Sequence, residues 1–408
     1  MNINSDRLWQ MITQLGQIGR TDDGGITRLA LTGEDLAARE KVISFMKKAG
    51  LKVRQDAAGN IIGRLDGKAD GPVIMTGSHI DTVISGGAFD GALGVLAGIE
   101  ALHTMKEKNI TPSYPMEVVV FTDEEGTRFN LNFVGSRAMQ GKFQKDFLAY
   151  KDADGIILSD SMQKAGIEPL SVNDAKLPQG YLKSYIELHI EQGKVLENNN
   201  LPAGIVSGIA GPLWLEFTIT GEAAHAGATP MNIRRDPMAV AVKIIDEIFA
   251  SASSYPNCVA TVGRISALPG GINIIPSQVS FTLDLRDIDQ NIIDEMTGKI
   301  SAVIRKIHSQ NKVTVSTQIT QQVAPVKCSD EIISCVKNAF SQLSLTPFEL
   351  PSGAGHDAMN FSGVCPLGMI FVRSQKGLSH QKEEYSSQED CALGAELLYL
   401  TLMEMDKL

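Results

Sequence analysis

The stretch VIMT at residues 73–76 opens the part of the sequence that decides the fold. It is a short apolar run of the kind found in buried strands, and an apolar helical pattern follows it at residues 92–107. A second strand pattern, MEVVVFT at Met116–Thr122, is rich in β-branched residues. A strand, a helix and another strand in this order indicate a crossover connection, which joins parallel strands.

The same alternation extends to both sides of this stretch. A helical pattern precedes it at residues 34–49, and the strand pattern SYIELHI follows it at Ser184–Ile190. Near the end of the chain a helix at 329–343, a strand at Gly368–Val372 and a helix at 388–406 continue the series. We therefore predict an α/β fold built on a largely parallel sheet.

Between residues 211 and 323 the pattern changes, after a Gly-rich stretch at Gly204–Pro212. The predicted elements, in chain order, are a strand at Leu213–Thr220, a helix at Asp236–Ala250, strands at Cys258–Ile265 and Val279–Leu285, a helix at 288–308 and a strand at Lys312–Gln318. The order β-α-β-β-α-β is that of a ferredoxin-like unit. We predict that residues 211–323 are a domain inserted into a main domain of residues 1–210 and 324–408.

Composition excludes several classes of protein. The chain has 408 residues, of which 43% are hydrophobic and 21% charged, so it can bury a sizeable core. A net charge of −10 argues against nucleic-acid binding, and no apolar run approaches the roughly 18 residues of a membrane span. The N-terminus lacks the pattern of a signal peptide, and the five cysteines are widely spaced. We expect a cytoplasmic protein with reduced thiols that binds neither nucleic acid nor membranes.

Polar side chains with metal-binding chemistry follow the predicted strands. Each taken alone has an ordinary explanation: a histidine at a strand end is usually structural, and an acidic turn is usually solvated. Ligands of open α/β sheets, however, collect at the carboxyl ends of the strands, so these side chains are expected to converge. The candidates are His79, Asp90, Glu124, Glu125, His189 and His380.

Imidazole and carboxylate groups are the ligands that zinc prefers. Three histidines and two carboxylates suffice for two metal ions if one carboxylate bridges them, which leaves one of two adjacent glutamates free to act as a base. Asp81, two residues after His79, could orient that imidazole. His103 and His308 lie in predicted helices and outside any acidic motif, and we assign them no role.

Five short motifs carry a resemblance to a known family, in the order in which that family has them. They are GSHIDT at residues 77–82, GGAFDG at 86–91, TDEEG at 122–126, LHIEQG at 188–193 and GLSH at 377–380. The chain resembles the di-zinc aminoacylase/carboxypeptidase-type metallopeptidases over nearly its whole length. Within them it is similar to the amidase/carbamoylase branch, which contains N-carbamoyl-L-amino-acid hydrolases, allantoate amidohydrolases and β-ureidopropionases.

The resemblance implies a role for each candidate. His79 and His189 would be terminal ligands, Asp90 the bridging carboxylate, and Glu125 and His380 ligands of the second metal. Glu124 would be the general base. The metals would be two divalent ions per subunit, zinc or else manganese, cobalt or nickel. A cis peptide bond would follow the bridging aspartate, at Asp90–Gly91.

The inserted domain carries polar residues of its own. Arg286 ends a predicted strand, and Asn273 lies in a loop bounded by glycine and proline, so a salt bridge and a turn residue are the ordinary interpretations. A guanidinium can also grip a substrate carboxylate, and an imidazole such as that of His225 can stabilise an oxyanion. The resemblance assigns His225 to the transition state and Asn273 and Arg286 to the substrate carboxylate. It also places Gln192 and His356 on the substrate side.

Substrate and assembly are expectations from the same resemblance. The segments IAGPLWLEF at 209–217 and PLGMIFVRSQKG at 366–377 favour an N-carbamoyl-L-amino-acid hydrolase. An allantoate amidohydrolase is the first alternative, a β-ureidopropionase or a related amidase or dipeptidase the next, and a non-catalytic scaffold the last. The inserted domain would serve as a lid and as the contact of a homodimer, and whether His225 acts in its own subunit or across the dimer stays open.

Overall fold

The computed structural model describes residues 1–311 and 313–408, with side chains described outside 307–311. His308, to which we assign no role, therefore has no described side chain. The chain divides into two compact units. The first comprises Met1–Ser207, Cys328–Leu350 and His356–Leu408, and the second comprises Gly208–Lys327 with Pro351–Gly355.

The α-helices of the described chain are α1 (Ser5–Leu15), α2 (Gly33–Lys48), α3 (Ala92–Glu107), α4 (Val134–Met139), α5 (Leu158–Lys164), α6 (Val195–Asn198), α7 (Pro237–Ala252), α8 (Gln290–Asn311), α9 (Asp330–Gln342) and α10 (Gln388–Met405). The strands are β1 (Lys52–Gln55), β2 (Ile61–Leu65), β3 (Val73–His79), β4 (Met116–Phe121), β5 (Leu182–Ile190), β6 (Ala203–Ile209), β7 (Gly211–Thr220), β8 (Ala224–His225), β9 (Val259–Thr261), β10 (Ile265–Leu268), β11 (Ile274–Ile275), β12 (Gln278–Asp287), β13 (Thr314–Gln322), β14 (Val326–Lys327), β15 (Glu349–Ser352) and β16 (Leu367–Val372). Within these residues no helix combines the length and the apolar character that crossing a bilayer requires.

The first unit is built on a mixed sheet whose strands follow the order β1-β2-β4-β3-β5-β16-β6. The central strands β4, β3, β5 and β16 are parallel to one another, whereas β1, β2 and β6 pair antiparallel at the sides. The predicted α/β class is therefore confirmed. The parallel arrangement holds for the centre of the sheet, and the sides differ because β1 and β2 form a hairpin without a crossover helix.

Helix α3 lies against the centre of this sheet and is buried along most of its length. The helix approaches the strands closely because small residues face them: a Cβ atom added at Gly94 would overlap the carbonyl oxygen of Leu188 in β5. This packing fixes the start of α3, and with it the segment around Asp90, against the carboxyl end of β5.

The second unit contains an antiparallel sheet in the order β10-β12-β7-β13, with β9 beside β12. Strand β12 alternates half-buried and buried residues, and the buried ones join a core with side chains of α7 and α8. The rings of Phe217 and Phe281 stack in this core with centroids 4.4 Å apart. The single strand predicted at Cys258–Ile265 is wrong: the structure has two strands, β9 and β10, separated at residues 262–264, where Gly263 weakens a strand.

Truncating this core should destabilise the protein strongly. Leu283 is 1% exposed, so we expect Leu283→Ala to lower the free energy of unfolding by about 2–5 kcal/mol through lost burial and the cavity left behind. Leu268 in the same unit is 55% exposed, and Leu268→Ala is the matched control, expected within about 0.5 kcal/mol of wild type. Urea unfolding measures both, and equal effects would contradict this description of the core.

Candidate metal centre

Three of the parallel strands bring histidines or acidic residues to one edge of the sheet. Strand β3 ends at His79, which is in register with Phe121 at the end of β4, and Glu124 and Glu125 follow β4 after two more residues. His189 lies at the end of β5, where it is in register with Phe371 of the neighbouring strand β16. The carboxyl ends of parallel strands thus meet where ligands of α/β sheets usually bind.

Asp90 lies at the centre of these side chains. Its Oδ1 is 3.5 Å from His79 Nε2 and 3.2 Å from His189 Nε2. Its Oδ2 is 3.3 Å from His380 Nε2, and the same nitrogen is 3.7 Å from Glu125 Oε2. The two oxygens of this one carboxylate therefore face two different sets of potential ligand atoms.

The spacing of these atoms fits metal coordination. Two ligand atoms that each lie about 2.0–2.1 Å from a tetrahedral zinc ion are about 3.4 Å from one another. The contacts of Asp90 with imidazole nitrogens, at 3.2, 3.3 and 3.5 Å, have this spacing and exceed the roughly 2.8 Å of a charged hydrogen bond. The potential ligands form two groups that share Asp90, namely His79, Asp90 and His189, and Asp90, Glu125 and His380.

Burial and neighbouring charges shift the pKa values of residues in this cluster. Although burial opposes ionisation, the three imidazoles hold the pKa of Asp90 well below its usual range. The Asp90 carboxylate raises the pKa of His380 to about 9, while burial raises the pKa of Glu125 to about 7. Such a concentration of opposed charges with shifted pKa values is typical of a functional site.

Glu124 is buried beside the first group of ligands. Its Oε2 is 3.6 Å from His79 Nε2, whereas the adjacent Glu125 faces His380. Burial raises the pKa of Glu124 well above its usual range. The two adjacent glutamates therefore contact different histidines.

Asp81 contacts His79 through its main chain and the two glutamates through its side chain. The Nδ1 of His79 is 3.0 Å from the main-chain carbonyl oxygen of Asp81, so this oxygen, and not the carboxylate at 3.7 Å, orients the imidazole. The carboxylate instead accepts hydrogen bonds from the main-chain N–H groups of Glu124 and Glu125. Asp81 thus links the histidine to the two glutamates.

A second set of side chains holds Asp90 in place. Gln192, expected on the substrate side, donates from Nε2 to Asp90 Oδ2 at 2.8 Å. The Ser379 hydroxyl lies 2.8 Å from the same oxygen and from a carboxylate oxygen of Glu384. The Glu384 carboxylate also accepts from the N–H groups of Phe89 and Asp90. Sequence reasoning missed Glu384 because QKEEY at residues 381–385 has the composition of an exposed acidic turn.

His356 lies behind the cluster in the first unit. It is 1% exposed, and its ring packs edge-on against that of His189 with centroids 4.5 Å apart. Burial lowers the pKa of His356 well below its usual range, which favours the neutral imidazole. Potential ligand atoms of Glu187, His189 and His356 form a further group.

The turn after Asp90 depends on a glycine. Gly91 has φ +61°, a left-handed conformation that favours glycine, and a Cβ atom there would overlap the imidazole of His79. The expected cis peptide bond at Asp90–Gly91 is wrong, since this bond is trans in the structure. The positive φ of Gly91 turns the chain sharply enough to bring Asp90 beside both strand ends.

Replacing Gly91 should therefore damage metal binding more than folding. We expect Gly91→Ala to weaken the binding of one metal ion at least tenfold, because the added methyl group displaces His79. Gly24 also has positive φ, at +92°, but a Cβ atom there would meet nothing within 4 Å. Gly24→Ala is therefore the control for backbone strain alone. Metal titration compares the two variants, and similar affinities would exclude steric displacement.

His225 and Asn273 lie together in the second unit. Strand β8 pairs with β11, so His225 is in register with Ile274, and the carbonyl of Asn273 accepts from the N–H of Ala226. His225 Nδ1 is 3.1 Å from the main-chain nitrogen of Gly227, which donates to it. This bond leaves Nε2 as the nitrogen that can carry the proton.

Arg286 lies on β12 of the second unit, where its guanidinium contacts Asp284 on the same strand. Its Nη1 donates to the carbonyl oxygen of Gly353 at 2.7 Å. Arg286 therefore forms the salt bridge that was its ordinary interpretation. Strand β12 has neighbours on both sides, so this salt bridge does not lie on an edge strand.

Comparisons with known proteins identify relatives of this chain. Residues 75–404 match Peptidase family M20/M25/M40. The chain is 48% identical to an N-carbamoyl-L-amino acid amidohydrolase of Geobacillus stearothermophilus, over 99% of both chains. It is 36% identical to the allantoate amidohydrolase of Bacillus subtilis, over 95% of this chain and 94% of that protein. The crystal structure of an amidase of the hydantoinase/carbamoylase family from Burkholderia multivorans superposes with a TM-score of 0.92 at 33% identity, covering 99% of this chain and 98% of that one.

The chain belongs to Peptidase family M20/M25/M40. The family resemblance predicted from the five motifs is confirmed. The similarity to the amidase/carbamoylase branch is also confirmed, because the similar proteins include an N-carbamoyl-L-amino acid amidohydrolase, an allantoate amidohydrolase and a hydantoinase/carbamoylase-family amidase.

Proposed function

We propose that this protein hydrolyses N-carbamoyl-L-amino acids. One water molecule is consumed, and the products are the free L-amino acid, carbon dioxide and ammonia. The observation that carries the proposal is the Asp90-centred cluster, in a chain 48% identical to an N-carbamoyl-L-amino acid amidohydrolase over its whole length.

The donor set supports two divalent ions per subunit, zinc or else manganese, cobalt or nickel. His79 and His189 would hold one, Glu125 and His380 the other, and Asp90 both. When bound, such ions lower the pKa of water towards 7 and polarise a carbonyl group.

Glu124 would move the proton of the reaction. It is adjacent to Glu125 in sequence but contacts a different histidine, His79, and the two groups of potential ligands around Asp90 are complete without it. One of its carboxylate oxygens would accept a proton from the attacking water, and the same carboxyl group would then deliver it to the departing amine nitrogen. The carbon–nitrogen bond to the amino acid breaks, and the carbamate left behind decomposes to carbon dioxide and ammonia.

The remaining predicted residues would bind the substrate. Arg286 and Asn273 would hold its carboxylate, and the Nε2–H of His225 would stabilise the oxyanion that forms at the ureido carbonyl. Gln192 supports Asp90 directly, so its contribution to the substrate would come second to that contact. His356 would pack beside His189 as a neutral group near the substrate.

The inserted domain, predicted at residues 211–323, would act as a lid and as the contact of a homodimer. Closure of such a domain excludes water and completes a catalytic set of residues. The homodimer and the cytoplasmic location stay predictions, and sedimentation of the purified protein tests the first of them.

Activity measurements test the function. The enzyme, loaded with Mn²⁺ or Zn²⁺, is assayed for ammonia and amine release from N-carbamoyl-L-methionine, its D-isomer, allantoate, N-carbamoyl-β-alanine and a dipeptide. Preference for the L-carbamoyl compound is the expected result, and a chelator-treated sample is the control. Preference for allantoate would overturn the proposed substrate. Allantoate is the leading alternative because a 36% identical relative is an allantoate amidohydrolase.

A further inference from the structure

The side chain of Arg286 is held from two directions within the second unit. Its Nε lies 3.0 Å from Asp284 Oδ1, and its Nη2 lies 2.8 Å from Asp284 Oδ2. On the other side, Nη1 donates to the carbonyl oxygen of Gly353 at 2.7 Å. These contacts fix both the position and the plane of the guanidinium, because a planar fork with three bonds cannot rotate without breaking one.

The strand explains why these groups meet. Asp284 and Arg286 are two residues apart on β12, so both side chains leave the same face of the sheet. Their neighbours Leu283 and Leu285 point into the core on the other face and are 1% and 0% exposed. Asp284 is in register with Trp214 on one side and with Thr261 on the other, so its backbone is fixed.

The hydrogen-bond donors of Arg286 can be counted. A guanidinium has five N–H groups, one on Nε and two on each Nη. Asp284 takes the pair formed by Nε and Nη2, and Gly353 takes one from Nη1. One N–H remains on each Nη nitrogen, and a carboxylate accepts such a pair with its two oxygens.

We propose that Asp284 is a positioning residue for Arg286, which it holds so that the two remaining N–H groups face the carboxylate of the substrate. Gly353 provides the second support through its carbonyl oxygen. The inference rests on the proposed function, because it takes the ligand of Arg286 to be an amino-acid carboxylate.

The opposite role for Asp284 makes the opposite prediction. If Asp284 only competed with the substrate for the guanidinium, its removal would free Arg286 and lower KM. As a positioning residue, Asp284 instead restricts the side chain of Arg286 before the substrate binds. Less conformational entropy is then lost on binding, so the removal of Asp284 raises KM. The direction of the change in KM therefore separates the two roles.

The first experiment compares kinetics on N-carbamoyl-L-methionine. We expect Asp284→Ala to raise KM about tenfold or more and to leave kcat within about threefold, as for a loss of binding shared by the ground state and the transition state. Asp284→Asn keeps the shape and one acceptor oxygen, so its KM should lie between those of wild type and Asp284→Ala. Glu216→Ala is the matched control, since Glu216 lies on β7 of the same sheet and pairs with Arg264 at 3.2 Å, not with Arg286. An unchanged or lower KM in Asp284→Ala would overturn the proposal.

A double substitution tests whether Asp284 acts through Arg286. In an Arg286→Ala background, Asp284→Ala should change KM less than about twofold, because there is no guanidinium left to hold. N-carbamoyl-L-methioninamide, which lacks the carboxylate, should likewise show the same KM with and without Asp284. Independent, multiplicative effects of the two substitutions would overturn the proposal.

The proposed function and this inference fail in different ways. If wild type does not hydrolyse N-carbamoyl-L-methionine, the proposed function fails, and the same comparison is then made with allantoate, which also has a carboxylate. Binding of either compound to Glu124→Gln variants, measured by calorimetry, gives the effect of Asp284 without turnover. If wild type is active but Asp284→Ala binds equally well, only the inference fails.

Discussion

Replacing Glu124 with glutamine should reduce kcat on N-carbamoyl-L-methionine by about 10²- to 10⁴-fold while two metal ions stay bound. The side chain keeps its size in this change but loses the carboxylate that accepts the proton of water, and general acid–base groups contribute rate factors of this order. We expect the metal ions to stay because Glu124 lies beside the proposed ligand His79 and belongs to neither group of potential ligands around Asp90.

Two measurements on the same sample check this expectation. Steady-state kinetics give kcat, and elemental analysis of the dialysed protein gives the metal content. Glu125→Gln is the control, because it changes the adjacent residue in the same chemical way but removes a contact with His380 at 3.7 Å. This control should lose metal as well as activity. A Glu124→Gln enzyme within tenfold of wild-type kcat would remove Glu124 from the role of base.

Asparagine at position 90 should reduce the metal content from two ions to one and lower the activity at least 10³-fold. An amide has a single acceptor oxygen, and its NH₂ group cannot bind a metal ion. Gln192 donates to Oδ2 at 2.8 Å, which should fix the amide oxygen at that position. The NH₂ group then faces His79 and His189, so the ion held by these two histidines is the one that should be lost.

Whether only one of the two metal ions is lost can be measured. Titration of the metal-free Asp90→Asn protein should give one site, and spectra of the cobalt form should show a single environment. Asp66→Asn is the control, because Asp66 pairs with Lys52 at an exposed position. Two tightly bound ions in Asp90→Asn would contradict a bridging role for this carboxylate.

Much of this site could be predicted from the sequence, because its signals are local. His79 follows the strand pattern at residues 73–76 and His189 lies near the end of the pattern at Ser184–Ile190, and parallel strands align their carboxyl ends. The centre of the sheet follows from the same strand–helix–strand pattern. The antiparallel sides depend on which strands become neighbours, and that is decided by packing across the whole unit.

The residues that hold the site in place could not be predicted from local sequence patterns. Glu384 reaches the N–H of Asp90 across 294 positions of sequence, and Ser379 contacts the Asp90 carboxylate across 289. Asp81 was expected to orient His79, but the sequence did not indicate that its main-chain carbonyl oxygen, which lies closer to the ring than its carboxylate, would do so. Likewise, Asp284 has no feature in the sequence that distinguishes a partner of Arg286 from any exposed acid on a strand.

The spread of the ligands along the chain has a consequence for how the protein matures in the cell. His380 follows Asp90 by 290 positions of sequence. The group of Asp90, Glu125 and His380 therefore cannot assemble until all the residues between them have been synthesised. If these residues hold the second ion, we expect a polypeptide that ends before His380 to lack that ion and to be inactive.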